Sequence, residues 1–255
     1  MKQIIRITIQ KIRQAILKTT GLTVYRNLPI GIEPLRDLKS DFKNYQFHTF
    51  FDVGANVGQT ALHFKRLYPK SVIWCFEPVK KTYEVLKSNT ANKHIKCHQI
   101  ALGAKAMTQD IEVHKDNIDS TMNSLINPTR FDNKQTKNES IQVQTLDLFC
   151  NEKSISSIDY LKIDTEGYDL EVLKGGVQNL TKQSISFIEV EVSMNPENTY
   201  HVNFIEVKNY LERFDYRIYG IYDQVHEWQT LKPILRRANI LFVAKRTYDL
   251  YKIKL

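Results

Sequence analysis

Cysteine is scarce: Cys75, Cys97 and Cys150 are the three in 255 residues. They are odd in number and lack metal-ligand spacing, which sets aside a disulfide framework and a structural zinc site. Cys75 and Cys97 fall in apolar runs and read as buried free thiols of a reducing compartment. No apolar run approaches the roughly 20 residues that span a bilayer. The first residues give no unbroken apolar segment followed by a cleavage site. The expected location is therefore the cytoplasm. Repeats and low-complexity tracts are missing. So is the basic–aromatic interleaving of nucleic-acid modules, and no nucleic-acid partner is expected. The length, with 42% hydrophobic residues, suits one α/β domain with a full core and is short for two.

Acid is missing from one segment. The leader "MKQIIRITIQKIRQAILKTTGLTVYR" carries Lys2, Arg6, Lys11, Arg13, Lys18 and Arg26 and no carboxylate, while the whole chain has a net charge of +8. Ile5, Ile9, Ile12 and Ile16 follow helical spacing, and Gly21 suits a C-terminal stop. Two readings stand. The helix lies on an anionic membrane surface, giving peripheral contact at the inner membrane. Or it docks on its own domain or on a second copy in a homo-oligomer. Its many β-branched residues keep a strand in play. The chain divides into a leader and linker (1–46), a main domain (47–246) and a peripheral tail (247–255).

From residue 48 apolar strands alternate with helices. "HTFFDV", "SVIWCF", "IKCHQIAL", "DIEVHK", "IQVQTL", "SIDYLKID", "SISFIEVEV", "YRIYGIY" and "ANILFVAK" read as strands. "QTALHFKRLYP", "KKTYEVLKSNTAN", "DLEVLKGG" and "VNFIEVKNYLERF" read as helices. This predicts a doubly wound, mostly parallel α/β sheet closed by an antiparallel strand. In such a sheet a ligand binds beyond the carboxyl ends of the strands.

"FFDVGANVGQT", residues 50–60, is such an end. Gly54 and Gly58 permit a tight turn and remove side chains that would block a ligand. The next strand ends at Glu77, 25 residues after Asp52, where a carboxylate accepts hydrogen bonds from both ribose hydroxyls of an adenosine. A third glycine is missing, and Asp52 would repel a diphosphate. The turn fits S-adenosylmethionine, which has an ammonium, a sulfonium and no phosphate, better than a nicotinamide dinucleotide.

"FDVGANVGQT", "FEP", "ALG" and "LKIDTEGYDLEVLKGG" resemble the FkbM family of class I methyltransferases, over residues 48 to 244. The resemblance implies a seven-stranded Rossmann-like sheet, S-adenosylmethionine as cofactor, and methyl transfer to an oxygen of a saccharide, glycan precursor or secondary metabolite. It places Asp52, Gly54, Ala55, Asn56 and Gly58 around the methionine part. It places Glu77 at the ribose, Pro78 and Ala101 beside the adenine, and Ser124 near the cofactor.

Methyl transfer to a hydroxyl needs a proton acceptor. The strands "YLKID" and "FIEVEV" are expected to be neighbours. Lys162 is expected to pair with Glu189 inside the sheet, and Asp164 with Glu191 to face the acceptor. Glu166 either orients the cofactor or acceptor, or caps the next helix. His201 is a candidate base because histidine titrates near neutral pH, or it is an ordinary loop residue. Trp228, Tyr222 and His226 would line the acceptor pocket or simply pack. Asp164 and Glu191 have the oxygen chemistry of a divalent-metal site, but two carboxylates are too few and no metal is expected. The rivals are an NAD-dependent reductase and a methyltransferase-like binding module without turnover.

Overall fold

Breaks in the apolar pattern become changes of element. In this computed structural model, which describes residues 2–25, 29–114, 136–228 and 230–251, the order is α1 (Lys2–Thr20), α2 (Pro34–Asp41), β1 (Thr49–Val53), α3 (Gln59–Leu67), β2 (Val72–Phe76), α4 (Lys80–Asn89), β3 (Ile95–His98), β4 (Ala101–Leu102), β5 (Met107–His114), β6 (Thr136–Gln144), α5 (Leu146–Glu152), β7 (Ile158–Ile163), α6 (Asp169–Lys174), α7 (Val177–Thr181), β8 (Ile185–Ser193), α8 (Phe204–Glu212), β9 (Tyr216–His226), β10 (Leu235–Ala244) and α9 (Lys245–Tyr248). Seven strands form the main sheet, in the order β3-β2-β1-β7-β8-β10-β9. Its neighbours from β3 to β8 pair in parallel, and β10 runs antiparallel to both β8 and β9. This is the class I methyltransferase-like α/β sheet with the expected closing strand.

Period-two alternation sorts the strands onto two cores. Phe51, Leu161, Ile163, Ile188 and Val190 face one layer. Phe50, Ile73, Cys75, Tyr160, Phe187 and Leu241 face the other. The stretch read as one strand over residues 95–102 is two. The chain bends at Gln99, and β4 leaves the main sheet to join β5 and β6 in a second, three-stranded sheet. The apolar faces of Ala101, Ile111, Ile141 and Val143 form a small core there with Val79. All three cysteines are free; Cys75 and Cys150 are buried, whereas Cys97 is only half-buried.

Two flanks are more integrated than a leader-and-tail reading suggests. Glu33 caps α2, its carboxylate accepting from the Leu35 and Arg36 N–H groups, with Pro34 in the first turn. Leu35, Leu38 and Phe42 then enter the second core. The Tyr251 ring packs at a tilt against Phe42 and Tyr45, drawing the tail onto the same surface. The leader is the helix that its isoleucines predict. From Gln10 to Thr20 only Arg13 and Ile16 are even half-buried, so this part does not enter the domain's core. Among the described residues, no helix is long and apolar enough to cross a membrane.

One carboxylate fastens the entry of the sheet. Asp159 on β7 accepts from the Tyr45 hydroxyl at 2.7 Å, the His48 N–H at 2.7 Å and the Thr49 N–H at 2.8 Å. Asp159→Ala leaves the His48 and Thr49 N–H groups without their acceptor, while the Tyr45 hydroxyl keeps Ser186 Oγ at 2.6 Å. The substitution is expected to cost about 2–4 kcal/mol, read as a lowered urea midpoint.

Candidate active site

The turn after β1 folds tightly because its glycines face protein. A Cβ on Gly54 would lie 1.9 Å from the Asp164 carbonyl oxygen, and φ there is +81°. A Cβ on Gly58 would lie 2.8 Å from Leu86 Cδ1 on α4, with φ +96°. Both residues are glycine to admit neighbouring chain at a left-handed backbone, not to clear room for a ligand. Asn56, at φ +46°, adopts the left-handed region that asparagine tolerates.

A cavity of about 400 Å³ opens over this turn. Gly54, Ala55, Asn56, Glu77, Pro78 and Ala101 all stand on its wall, together with Leu102 and Ile111 near the second sheet. Asp52 and Gly58 stand behind the wall. Ser124 lies outside the described residues. Glu77 holds the turn in place, accepting from Asn56 N–H at 3.2 Å and Val79 N–H at 2.9 Å. Two buried polar atoms of wall residues, Asn56 Oδ1 and Thr165 Oγ1, have no hydrogen-bond partner within the protein.

Behind the turn a row of polar side chains crosses the sheet. Asp52 on β1 sits in register with Lys162 on β7, and Lys162 with Glu189 on β8. The Lys162 ammonium reaches up its own strand to Asp164 Oδ2, at 2.7 Å, rather than across to Glu189. The expected Lys162–Glu189 pair is thus replaced. Glu189 instead accepts from the Tyr160 hydroxyl at 2.5 Å and from Asn239 Nδ2 at 3.0 Å. Asp52 is 1% exposed, and neither of its oxygens meets a donor at hydrogen-bond geometry. Burial pushes its pKa up to about 6, against the pull of Lys162 and a weaker one from the Ala61 N–H.

A second cavity, about 1200 Å³, shares Gln59, Thr60, Lys162, Asp164 and Glu166 with the first. Oxygens of Asp164, Glu166 and Glu191 all lie within 4.8 Å of one another, close enough to share a cation or a set of hydroxyl donors. Cations of the chain already meet two of them: Lys162 pairs with Asp164, and Arg237 with Glu191. Glu166 sits at φ +53°, a strained conformation for its type. Asp169 keeps it there by accepting from the N–H groups on either side, Thr165 at 3.0 Å and Gly167 at 3.1 Å. Asp169 thus braces the turn ahead of α6, whose N-cap residue Tyr168 makes no side-chain capping bond. His201 Nε2 lies 2.9 Å from Glu191 Oε2 and 3.8 Å from Glu166 Oε2. Burial holds the His201 pKa below its usual value although carboxylates surround it.

The structure therefore brings Asp164, Glu166, Glu191 and His201 to one edge, beside the glycine turn. Trp228, 63% exposed, joins the second cavity's wall, but Tyr222 is fully buried with its hydroxyl 3.3 Å from Asp37, and His226 is on neither wall. Glu33, Asn198, Arg236, Arg237 and Asn239 were not anticipated. Glu33 was legible from the Glu-Pro pair ahead of Leu35 and Leu38. Arg237 and Asn239 were legible from the period of two at the polar start of β10.

Residues 52–218 match the methyltransferase FkbM domain, more than half of the chain. The chain belongs to the FkbM methyltransferase family. It is 27% identical over 154 residues to 2-O-methyltransferase NoeI of Sinorhizobium fredii, covering 54% of this chain and 61% of NoeI. It is 29% identical over 163 residues to methyltransferase sdnD of Sordaria araneosa, covering 53% and 63%. The chain thus spans about three fifths of the length of these curated relatives. Among solved structures it aligns with an FkbM methyltransferase from Methylobacillus flagellatus at 17% identity and a TM-score of 0.49, over 84% of this chain and 48% of that one.

In this FkbM chain, burial pushes the Glu77 pKa up to about 7, and burial pushes that of Asp169 up to about 6. An acid raised by folding favours the protonated folded state. Its contribution to stability is present below the ordinary carboxylate pKa and is lost as pH rises through the folded value. The ligand-free protein is therefore expected to lose stability between about pH 4 and pH 7, by at most about 1.4 kcal/mol per pH unit for each such group. Glu77→Gln is expected to flatten that slope in urea midpoints measured across pH.

Proposed function

We propose that the chain is an S-adenosylmethionine-dependent O-methyltransferase acting on a hydroxyl of a saccharide or glycan precursor. The observation that carries this reading is the shared wall. Gln59, Thr60, Lys162, Asp164 and Glu166 line both a small cavity over the glycine turn and a larger polar one, so a donor and an acceptor would meet across five residues. The printed activity of NoeI, a 2-O-methyltransferase, supports oxygen as the acceptor.

The residues present fit the cofactor. Glu77 offers carboxylate lone pairs beyond those used by Asn56 and Val79, as two ribose hydroxyls require. Asn56 Oδ1 and Thr165 Oγ1 are buried polar atoms in want of partners, which the amino-acid end would supply. Pro78 and Ala101 give an apolar slot for the adenine. Asp52 acts from behind, through Lys162. When bound, S-adenosylmethionine supplies an electrophilic methyl group on a sulfonium.

The larger cavity has the parts for a sugar: hydroxyl acceptors in Asp164, Glu166 and Glu191, and the open face of Trp228 for a ring. A hydroxyl oxygen that gains a methyl must lose its proton. Asp164 is a weak base. Burial opposes its charge, but Lys162, by charge and by hydrogen bond, together with Arg237 holds the pKa below the usual carboxylate range. Glu191 lines only the outer cavity and is held by Arg237 and His201. Glu166 borders both spaces, so the O–H bond breaks toward its carboxylate and the proton leaves through the open cavity. The rest of the rate comes from positioning.

Calorimetry with S-adenosylmethionine and NAD, followed by labelled-methyl transfer to a panel of saccharides, tests this reading. S-adenosylmethionine is expected to bind. Glu77→Ala is expected to weaken it at least about tenfold, because a hydrogen bond to a charged group is worth about 1.5–3 kcal/mol. Binding of NAD alone would make the reductase reading right instead. S-adenosylmethionine binding with no transfer to any hydroxyl would leave a binding module.

A further inference from the structure

We infer that His201 is a fixed hydrogen-bond donor to Glu191, not the proton acceptor, and that Asn198 is the positioning residue that makes it so. The functional part of this inference rests on the acceptor site proposed above; the hydrogen-bonding part does not.

An asparagine amide has one accepting oxygen and one donating nitrogen. The oxygen of Asn198 is taken: Oδ1 accepts from the Tyr200 N–H at 3.0 Å. Its Nδ2 therefore faces His201 Nδ1, at 3.1 Å. An amide nitrogen only donates, so Nδ1 of the ring must offer its lone pair. The ring hydrogen then sits on Nε2 and is donated to Glu191 Oε2 at 2.9 Å. Every departure opposes like with like. Turning the amide over sets Nδ2 against the Tyr200 N–H. Moving the ring hydrogen to Nδ1 sets two donors face to face and leaves a bare Nε2 lone pair against a carboxylate.

The segment that carries this amide is itself held. Asn198 N–H donates to the Asn195 carbonyl at 2.9 Å, and Asn195 Nδ2 donates to Glu227, which pairs with Arg236. Asn198 is 5% exposed. The charged groups that act on the ring come from every side. Glu191 faces it from β8, Asp164 and Glu166 from the end of β7, Asp169 from α6, and Arg236 from β10. The carboxylates favour an imidazolium. Burial opposes it most, and the Asn198 amide opposes it specifically, by denying Nδ1 a proton. A ring locked in this way cannot accept the proton of a hydroxyl. It can hold Glu191 in place beside Glu166, so that the acceptor finds two carboxylates at a set spacing.

Long-range proton–nitrogen NMR of the full chain reads the tautomer directly, whether or not the chain transfers a methyl group. Expected are an unprotonated Nδ1 and a protonated Nε2 for His201, unchanged between about pH 6 and pH 8, where a free histidine titrates. A protonated Nδ1, or a ring that titrates in that range, would overturn the inference. Asn198→Asp places a second acceptor at Nδ1 and is expected to give a doubly protonated ring near neutral pH. A ring left unchanged by that variant would show that Asn198 does not set it. In turnover, His201→Gln, which keeps a donating amide, is expected to recover most of what His201→Ala loses. If His201 is instead the base, both variants fall together by about 10²–10⁴-fold. Failure of the methyl-transfer reading shows separately, as absent S-adenosylmethionine binding with the tautomer intact.

Discussion

A single buried ammonium stands where the polar residues of the sheet meet. Lys162 is surrounded by Asp164, Asp52 and Glu189, drawn from three adjacent strands. Burial works to strip its proton, but the three carboxylates reverse that and raise its pKa. The dependence runs both ways. Lys162 is the main counterweight to the burial of Asp164, Asp52 and Glu189 alike. Central parallel strands are normally apolar on both faces. Here one face carries charge only because each charge has an opposite neighbour, and removing one leaves the others uncompensated.

That arrangement sets the site. The lower part of the same face is plain core, with Phe50, Tyr160, Phe187 and Leu241 packed under α2 and the aromatic residues that follow it. Toward the strand ends the apolar residues give way to Asp52, Lys162, Glu189 and Asn239, and then to the open edge. The change is graded along the strands, so the polar groups nearest solvent border the cavities and those behind them tune charge. Glu166 is the exception to this economy of regular structure. It stands in a turn, at a strained angle, with Asp169 gripping the backbone on both sides.

Much of this was legible in the chain. Alternation of short apolar runs with helical stretches is a direct print of layer packing, so the sheet and its closing strand follow from it. The glycine turn and Glu77 are separated by one strand–helix unit, which fixes both at the same edge. The partner of Lys162 was not legible. Period two puts Lys162 on the face shared by Asp164 along the strand and Glu189 across it, and only the reach of a flexible side chain chooses between them. The hydrogen-bonding sense of His201 was hidden for a related reason. It depends on which atom of Asn198 the Tyr200 amide occupies, a matter of loop geometry that no periodicity records. The start of α2 is marked by the Glu33-Pro34 pair, a weaker signal than a serine or aspartate cap would give. That the turn needs its glycines was legible; that they make room for protein backbone and side chains rather than for a ligand was not.

At Gly54 this difference matters most. The space its side chain would fill belongs to the carbonyl of Asp164, so the backbone of the glycine turn rests on the backbone that carries the Asp164 carboxylate. The two halves of the site share one hinge-less joint. The segment after β8 and the hairpin between β9 and β10 lie off this joint. A shift of the strand end that carries Asp164 would therefore drag the glycine turn with it, and the spacing of the two cavities is fixed at the place of one missing methyl group.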